Sequence, residues 1–176
     1  MLTKNDFGAS DWGTLRDTPY LVGLATLLAE PSGLGTIKES FAITMGIVKN
    51  QTSEIPLIRD LTSRPEMEAA QESLRNRFSE RQSVLAGSPG GLSKDVMRDL
   101  ALEHAGSSMT LLSGKNASPE EIDAYRKMLY GLAEMVANAS REGGFLGFGG
   151  KAVSPAEQRF LDDLQNTIQF EKAKKA

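Results

Sequence analysis

The sequence predicts an all-α protein, folded as a single compact irregular bundle of six to eight helices. Apolar residues recur three or four positions apart along most of the chain, which is the spacing of one helix face, and strand-like alternation does not appear. Three segments have the Ser-x-x-Glu form of a capping box, beginning at Ser63, Ser118 and Ser154. Because the local signals and the periodicity agree, we expect one stable helical fold.

Residues 10–62 contain signals for four helices. A short helix is predicted from Ser10 to Asp17, and a second begins at Thr18-Pro19, where Thr is the N-cap and Pro the first helical residue. Residues 20–29 of this second helix are apolar on nearly every side, which is typical of a helix buried at the centre of a bundle. Further helices are predicted at 34–49 and 54–62.

Four longer amphipathic helices are predicted from Ser63 onward. The first follows the cap at Ser63 and extends to position 79 or beyond. The other three span 94–113, 118–140 and the residues after Ser154. The glycine- and proline-rich stretch 86–91 is the best linker candidate, but it is too short to separate two domains. We therefore expect one domain over residues 10–170, a flexible N-terminus at 1–9 and a flexible tail at 171–176.

Composition excludes several classes of function. The chain has 176 residues, no cysteine and a formal net charge of −3. The absence of cysteine excludes disulfides, thiolate catalysis and cysteine-ligated metal sites. The net charge does not favour a nucleic-acid partner, and the longest apolar run, 20–29, is about half of what a membrane span requires. With no signal-peptide pattern at positions 1–10, we expect a cytoplasmic protein.

A loop rich in glycine and phenylalanine lies between the last two helices and is the candidate docking loop. Its residues are Gly143, Gly144, Phe145, Leu146, Gly147, Phe148, Gly149, Gly150 and Lys151. It does not match a Walker A motif, because Ala152 follows the lysine and Phe145 stands where the first glycine belongs. Three interpretations remain: a connection held to the core by its apolar residues, an exposed docking surface, or a backbone nest for an anion.

His104 is the one histidine, and it lies on the apolar stripe of its helix. A general base or a metal ligand is one interpretation, but the Glu-x-x-His repeats of di-iron bundles are absent. A core or interface histidine is the preferred one. No catalytic, cofactor-binding or metal-binding residue is predicted, and no cofactor is expected.

Over most of its length, though little between about 51 and 116, the chain resembles a family of small bacterial all-helical proteins of unknown function. The similarity is carried by Trp12, Leu15 and Pro19, by PSGLGTIKE at 31–39, and by EGGFLGFGG at 142–150 with Val153-Ser154-x-x-Glu157. It implies a bacterial cytosolic protein with a helical fold and transfers no activity. The last helix is also similar to that of tellurite-resistance TerB-like domains, but it lacks their Asp-Gly pair before the serine, so no metal-related role is carried over.

The predicted function is a non-enzymatic interaction or self-association module that uses the loop 143–151, with a homodimer or another protein as partner. The alternative is a small-molecule or anion binder that uses the helix N-termini after Gly33 and Gly150. An enzyme that uses His104 is a third hypothesis.

Overall fold

A computed structural model describes residues 1–29, 36–85, 93–139 and 153–170, and the regular structure in these ranges is entirely helical. The predicted all-α fold class is thus confirmed. After one turn of 3-10 helix at Lys4–Asp6, the helices are α1 (Ala9–Ala29), α2 (Thr36–Val48), α3 (Pro56–Leu61), α4 (Arg64–Leu85), α5 (Lys94–Gly114), α6 (Pro119–Ala139) and α7 (Pro155–Ile168). In these ranges, no helix has both the length and the apolar character needed to cross a bilayer.

The first helix, α1, is the centre of the bundle. It contacts α2, α4, α5, α6 and α7. Leu15, Leu21 and Val22 have no solvent exposure. Burying each such side chain contributes roughly 1.5–3 kcal/mol. The interpretation of residues 20–29 as a central helix is therefore confirmed.

The predicted break between a short helix and a second helix at Thr18-Pro19 is wrong, because α1 continues through Pro19. Proline has no N–H, so the carbonyl of Leu15, four residues earlier, loses its usual helical partner. In this structure the hydroxyl of Tyr125 in α6 donates a hydrogen bond to that carbonyl, at 2.8 Å. A side chain from another helix thus replaces the missing donor, which local sequence signals do not reveal.

Helices α1 and α4 run in the same direction, because their contacts advance together from Trp12–Glu66 to Asp17–Ser73. Helix α5 runs in the opposite direction. The middle of α5 meets the middle of α1, and the start of α5 lies with Ala29, at the end of α1, around one groove.

Helices α2 and α7 also run opposite to α1, whereas α6 runs with it. The start of α6 lies near the start of α1, as the hydrogen bonds Leu2–Glu121 and Leu15–Tyr125 show, and the end of α2 lies there too, where Gln51 bonds to the Thr62 carbonyl. Helix α7 runs with α5, as the contacts Arg98–Asp163 and Gly106–Thr167 show. Consequently Ala29, Leu85 and Ala139, where α1, α4 and α6 end, lie at the same end of the bundle as the starts of α2, α5 and α7. We call this the glycine end, because the glycine-containing stretches 30–35, 86–92 and 140–152 connect these helix termini.

Two of the three predicted capping boxes form. At the start of α6, Ser118 N–H donates to Glu121 at 2.8 Å, and Glu121 N–H donates to Ser118 Oγ at 3.3 Å. The box at Ser154 closes in the same way at the start of α7. The prediction for Glu66 in α4 is wrong, because its two carboxylate oxygens instead accept hydrogen bonds from Lys4 and Trp12.

Candidate functional site

A groove of about 340 Å³ opens at the glycine end, between α1, α5 and α7. Its apolar lining comes from Ala25 and Ala29 of α1 and from Ala156 and Phe160 of α7. Three of these four residues are alanine, so the helix backbones are not covered by long side chains here. The small side chains therefore leave room for part of another molecule.

Charged residues form the rim of this groove. Arg98 of α5 binds Asp163 of α7 at 2.7 Å and Asp99 at 2.8 Å. The hydrogen bond from Arg98 to Asp163 is the largest of the effects that raise the pKa of Arg98 above its ordinary value. This pair joins two helices of the same direction and is partly exposed, so we assign it a positioning role.

Two further cations of the rim are not neutralised in this way. Lys94 of α5 and Arg159 of α7 have no carboxylate within 4 Å among the residues that the structure describes. Asp95 lies on the same rim, next to Lys94. The groove therefore presents an apolar floor with two available positive charges and one negative charge.

The positions of these cations follow from the local capping signals. Ser93 accepts a hydrogen bond from Val96 N–H at 3.3 Å and starts α5. At α7, the Ser154 hydroxyl accepts from Glu157 N–H at 3.1 Å. Glu157 is buried and supplies a carboxylate at this terminus. Because its own chain already provides this anion, the N-terminus of α7 has less to offer an external one.

His104 lies away from the groove. It is half-buried between α4 and α5, and its Nε2 is 3.0 Å from Arg77 Nη1. A guanidinium has only donors, so Nε2 accepts this hydrogen bond. A general base needs a free lone pair, and the lone pair at Nε2 is occupied by the hydrogen bond from Arg77. This atom therefore does not support the enzyme hypothesis.

A buried polar cluster beside His104 also contains nucleophile-type residues. Ser108 Oγ lies 3.0 Å from Thr18 Oγ1 and 3.2 Å from the hydroxyl of Tyr125. All three residues have no solvent exposure. A substrate has no access to them, so we interpret the cluster as a polar contact that fixes α1 against α5 and α6.

The sequence-predicted docking loop 143–151 lies outside the described residues, and so do Gly33 and Gly150 of the alternative hypothesis. The residues flanking the loop, Ala139 and Val153, place its attachment at the glycine end. Within the described ranges, no three His, Asp or Glu side chains are grouped as metal ligands would be.

Sequence reasoning missed the groove residues Lys94, Arg98, Arg159 and Asp163. Asp163 is half-exposed but is bound to Arg98. Its pairing depends on the register between α5 and α7, which helical periodicity does not specify.

Comparison of the chain with family models, with curated proteins and with solved structures gave no match.

Proposed function

We propose that the protein is a non-enzymatic cytoplasmic interaction module that docks a protein partner at the glycine end. The observation that supports the proposal is the groove between α1, α5 and α7, with its apolar floor and the available charges of Lys94 and Arg159. The loop 143–151 attaches at this end, and its Phe145, Leu146 and Phe148 would add apolar contact area.

The simplest partner is a second copy of the chain. A two-fold dimer brings the same patch of two subunits together, so the patch must be complementary to itself. The rim satisfies this condition, because Asp95 stands beside the cations Lys94 and Arg159. An apolar floor with a charged rim is also the usual anatomy of a protein interface.

The test is the oligomeric state, measured by light scattering across a range of concentrations. We expect the wild type to dimerise and the double variant Lys94→Glu/Arg159→Glu to stay folded as a monomer. Lys127→Glu is the matched control, because Lys127 is an exposed lysine of α6 outside the groove, and it should dimerise like the wild type. A wild type that stays monomeric at all concentrations would contradict self-association.

A second double variant, Phe145→Ser/Phe148→Ser, tests the loop. A folded monomer would assign these residues to the docking surface. Loss of the thermal transition would assign them to the core. If neither folding nor association changes, the loop has no part in the proposed function.

An anion binder is the second candidate, since Lys94 and Arg159 have no carboxylate partner in the described ranges. Addition of inorganic phosphate or pyrophosphate should then raise the melting temperature of the wild type, because a ligand that binds the native state stabilises it. The Lys94→Glu/Arg159→Glu variant should lose this shift. An equal shift in both proteins would count against the groove as the binding site.

A further inference from the structure

The end of the bundle opposite the glycine end is crossed by an N-terminal strap, residues 2–7. Its donors reach one carboxylate on each of three helices: Leu2 N–H bonds to Glu121 of α6, Lys4 N–H to Asp60 of α3 at 3.3 Å, and Lys4 Nζ to Glu66 of α4 at 2.5 Å. The seat of the strap, defined as Asp60, Glu66, Glu121 and Trp12, therefore binds both the backbone and the lysine side chain of this segment.

Residues outside the strap also hold two carboxylates of the seat in position. Glu66 is only 7% exposed, and its second oxygen accepts a hydrogen bond from Trp12 Nε1 at 2.8 Å. Arg16 Nη1 lies 3.8 Å from the same oxygen. Glu121 is fixed by its capping box with Ser118. Release of Lys4 would thus leave carboxylates that are already oriented by α1 and α6.

Apart from the half-buried apolar residues Leu2 and Phe7, the strap is held by polar contacts. The turn Lys4–Asp6 contains no buried residue, and the side chain of Lys4 is 58% exposed. Phe7 provides a ring contact to Trp12, with 5.8 Å between centroids, and Lys115 lies over the Phe7 ring. The side chain of Lys4 is largely exposed, and Arg16 remains beside Glu66 when Lys4 leaves, so the strap can leave while the core of the bundle stays packed.

We propose that the seat is a binding site for a lysine-bearing N-terminal segment, occupied in cis by the strap and in trans by the strap of a second copy. A second copy carries the one segment that the structure shows to fit. Gly8 separates the strap from α1, and glycine adopts a wider range of backbone angles than any other residue. A hinge at Gly8 therefore lets the strap swing out without disturbing α1, as exchange of identical elements requires.

The first test uses the full-length Lys4→Glu variant, whose strap is repelled by Glu66, and a synthetic peptide of residues 1–8. Trp12 is the single tryptophan and contacts both Phe7 and Glu66, so its fluorescence reports the occupancy of the seat. We expect acrylamide to quench Trp12 more strongly in this variant, and the peptide to reverse the effect. Quenching equal to that of the wild type would overturn the proposal.

Peptide affinity provides the second readout. The wild type should bind the peptide roughly tenfold or more weakly than the variant, because the tethered strap competes at an effective concentration on the order of millimolar. A peptide with Lys4→Glu should bind neither protein. Lys127→Glu, with the same charge change on the exposed surface, should behave like the wild type. Equal affinity of the two peptides would contradict recognition of the lysine.

Exchange between copies is tested by mixing Lys4→Glu with Glu66→Gln and recording native mass spectra. The intact strap of the second variant fits the intact seat of the first, so heterodimers should exceed the statistical fraction. Circular dichroism of each variant alone first establishes that it is folded. A statistical mixture of homodimers and heterodimers would exclude strap exchange. A dimer formed through the groove would give that statistical mixture, because neither substitution lies in the groove, so the experiment distinguishes the two modes of association.

Discussion

The hydroxyl of Tyr125 supplies to the Leu15 carbonyl the hydrogen bond that Pro19 cannot supply. The oxygen-to-oxygen distance is 2.8 Å, and the tyrosine has no solvent exposure. Burial raises the pKa of Tyr125 well above its ordinary value, so the hydroxyl remains a donor at all physiological pH values. This single contact explains how a 21-residue central helix keeps a proline in its interior.

Tyr125→Phe should therefore destabilise the protein. It leaves the Leu15 carbonyl buried without a partner, which costs about 1–3 kcal/mol. In a Pro19→Ala background the alanine N–H can bond to that carbonyl, and the cost of Tyr125→Phe should fall. Urea denaturation of both single variants and the double variant gives the coupling energy, which we expect to exceed about 0.5 kcal/mol. Additive effects would mean that Pro19 and Tyr125 act independently.

Tyr20→Phe, unlike Tyr125→Phe, should not lower the free energy of unfolding. The Tyr20 hydroxyl is buried and has no hydrogen-bond partner among the described residues, so its removal should be neutral or stabilising by up to about 1 kcal/mol. Burial is also the main cause that raises the pKa of Tyr20 to about 12, from 10.0. Because the folded-state pKa is raised, the contribution of the neutral Tyr20 hydroxyl to wild-type stability is complete below pH 10. This contribution is lost as the pH rises toward 12.

Thermal melts between pH 8 and pH 12 check this prediction. Tyr20→Phe should melt at or above the temperature of the wild type at pH 8, and the difference should grow above pH 10 as the unfolded wild type ionises. A variant with a clearly lower melting temperature at pH 8 would show that the hydroxyl has a stabilising contact.

The positions of the helices could be predicted from sequence because their signals are local. Ser118 and Ser154 start α6 and α7 as expected, since both halves of each capping box lie within four residues. The continuity of α1 through Pro19 could not be predicted, because it depends on Tyr125 in a distant helix. The contacts of Glu66 also depend on residues distant in sequence. Its sequence neighbours predict a cap, but Lys4 and Trp12 bind its carboxylate.

The groove could not be predicted from the sequence either, because it depends on how distant helices are arranged. Lys94 and Arg159 each look like ordinary surface charges in the first turns of helices. They become one rim only because α5 and α7 run in the same direction and start together at the glycine end. The direction of packed helices depends on the register of buried faces, whereas periodicity gives only which face is buried.

Acid should loosen the strap before it unfolds the bundle. Burial by itself would raise the pKa of Glu66, but the hydrogen bonds from Lys4 and Trp12 and the charges of Lys4 and Arg16 outweigh it and hold this pKa below its ordinary value of 4.5. Because the folded-state pKa is lowered, the contribution of ionised Glu66 to folding stability is complete above pH 4.5. It is lost as the pH falls through the folded-state pKa. Below pH 4.5, the ion pair between Lys4 and Glu66 should therefore weaken.

Trp12 fluorescence, followed from pH 7 to pH 2 beside far-ultraviolet circular dichroism, measures the two events separately. We expect the Trp12 emission to change first. Glu66→Gln should remove this early change, because the amide does not titrate. Coincident transitions in the wild type would show that the strap and the bundle unfold as one unit.

The contact between α2 and α6 depends on a glycine. Gly46 of α2 is buried, and a Cβ at this position would collide with the Cδ1 of Leu132 in α6. Gly46→Ala must displace a leucine that is itself 1% exposed, so we expect a loss of about 1–3 kcal/mol.

Gly131→Ala is the matched control, since it lies on α6 next to Leu132 and its Cβ would meet nothing within 4 Å. Alanine should stabilise the helix there by up to about 1 kcal/mol, because glycine is the poorer helix former. Urea denaturation of the two variants should thus give changes of opposite sign. If Gly46→Ala is also stabilising, the Leu132 side chain can leave its position without cost, and close approach of the two backbones is not what holds α2 against α6.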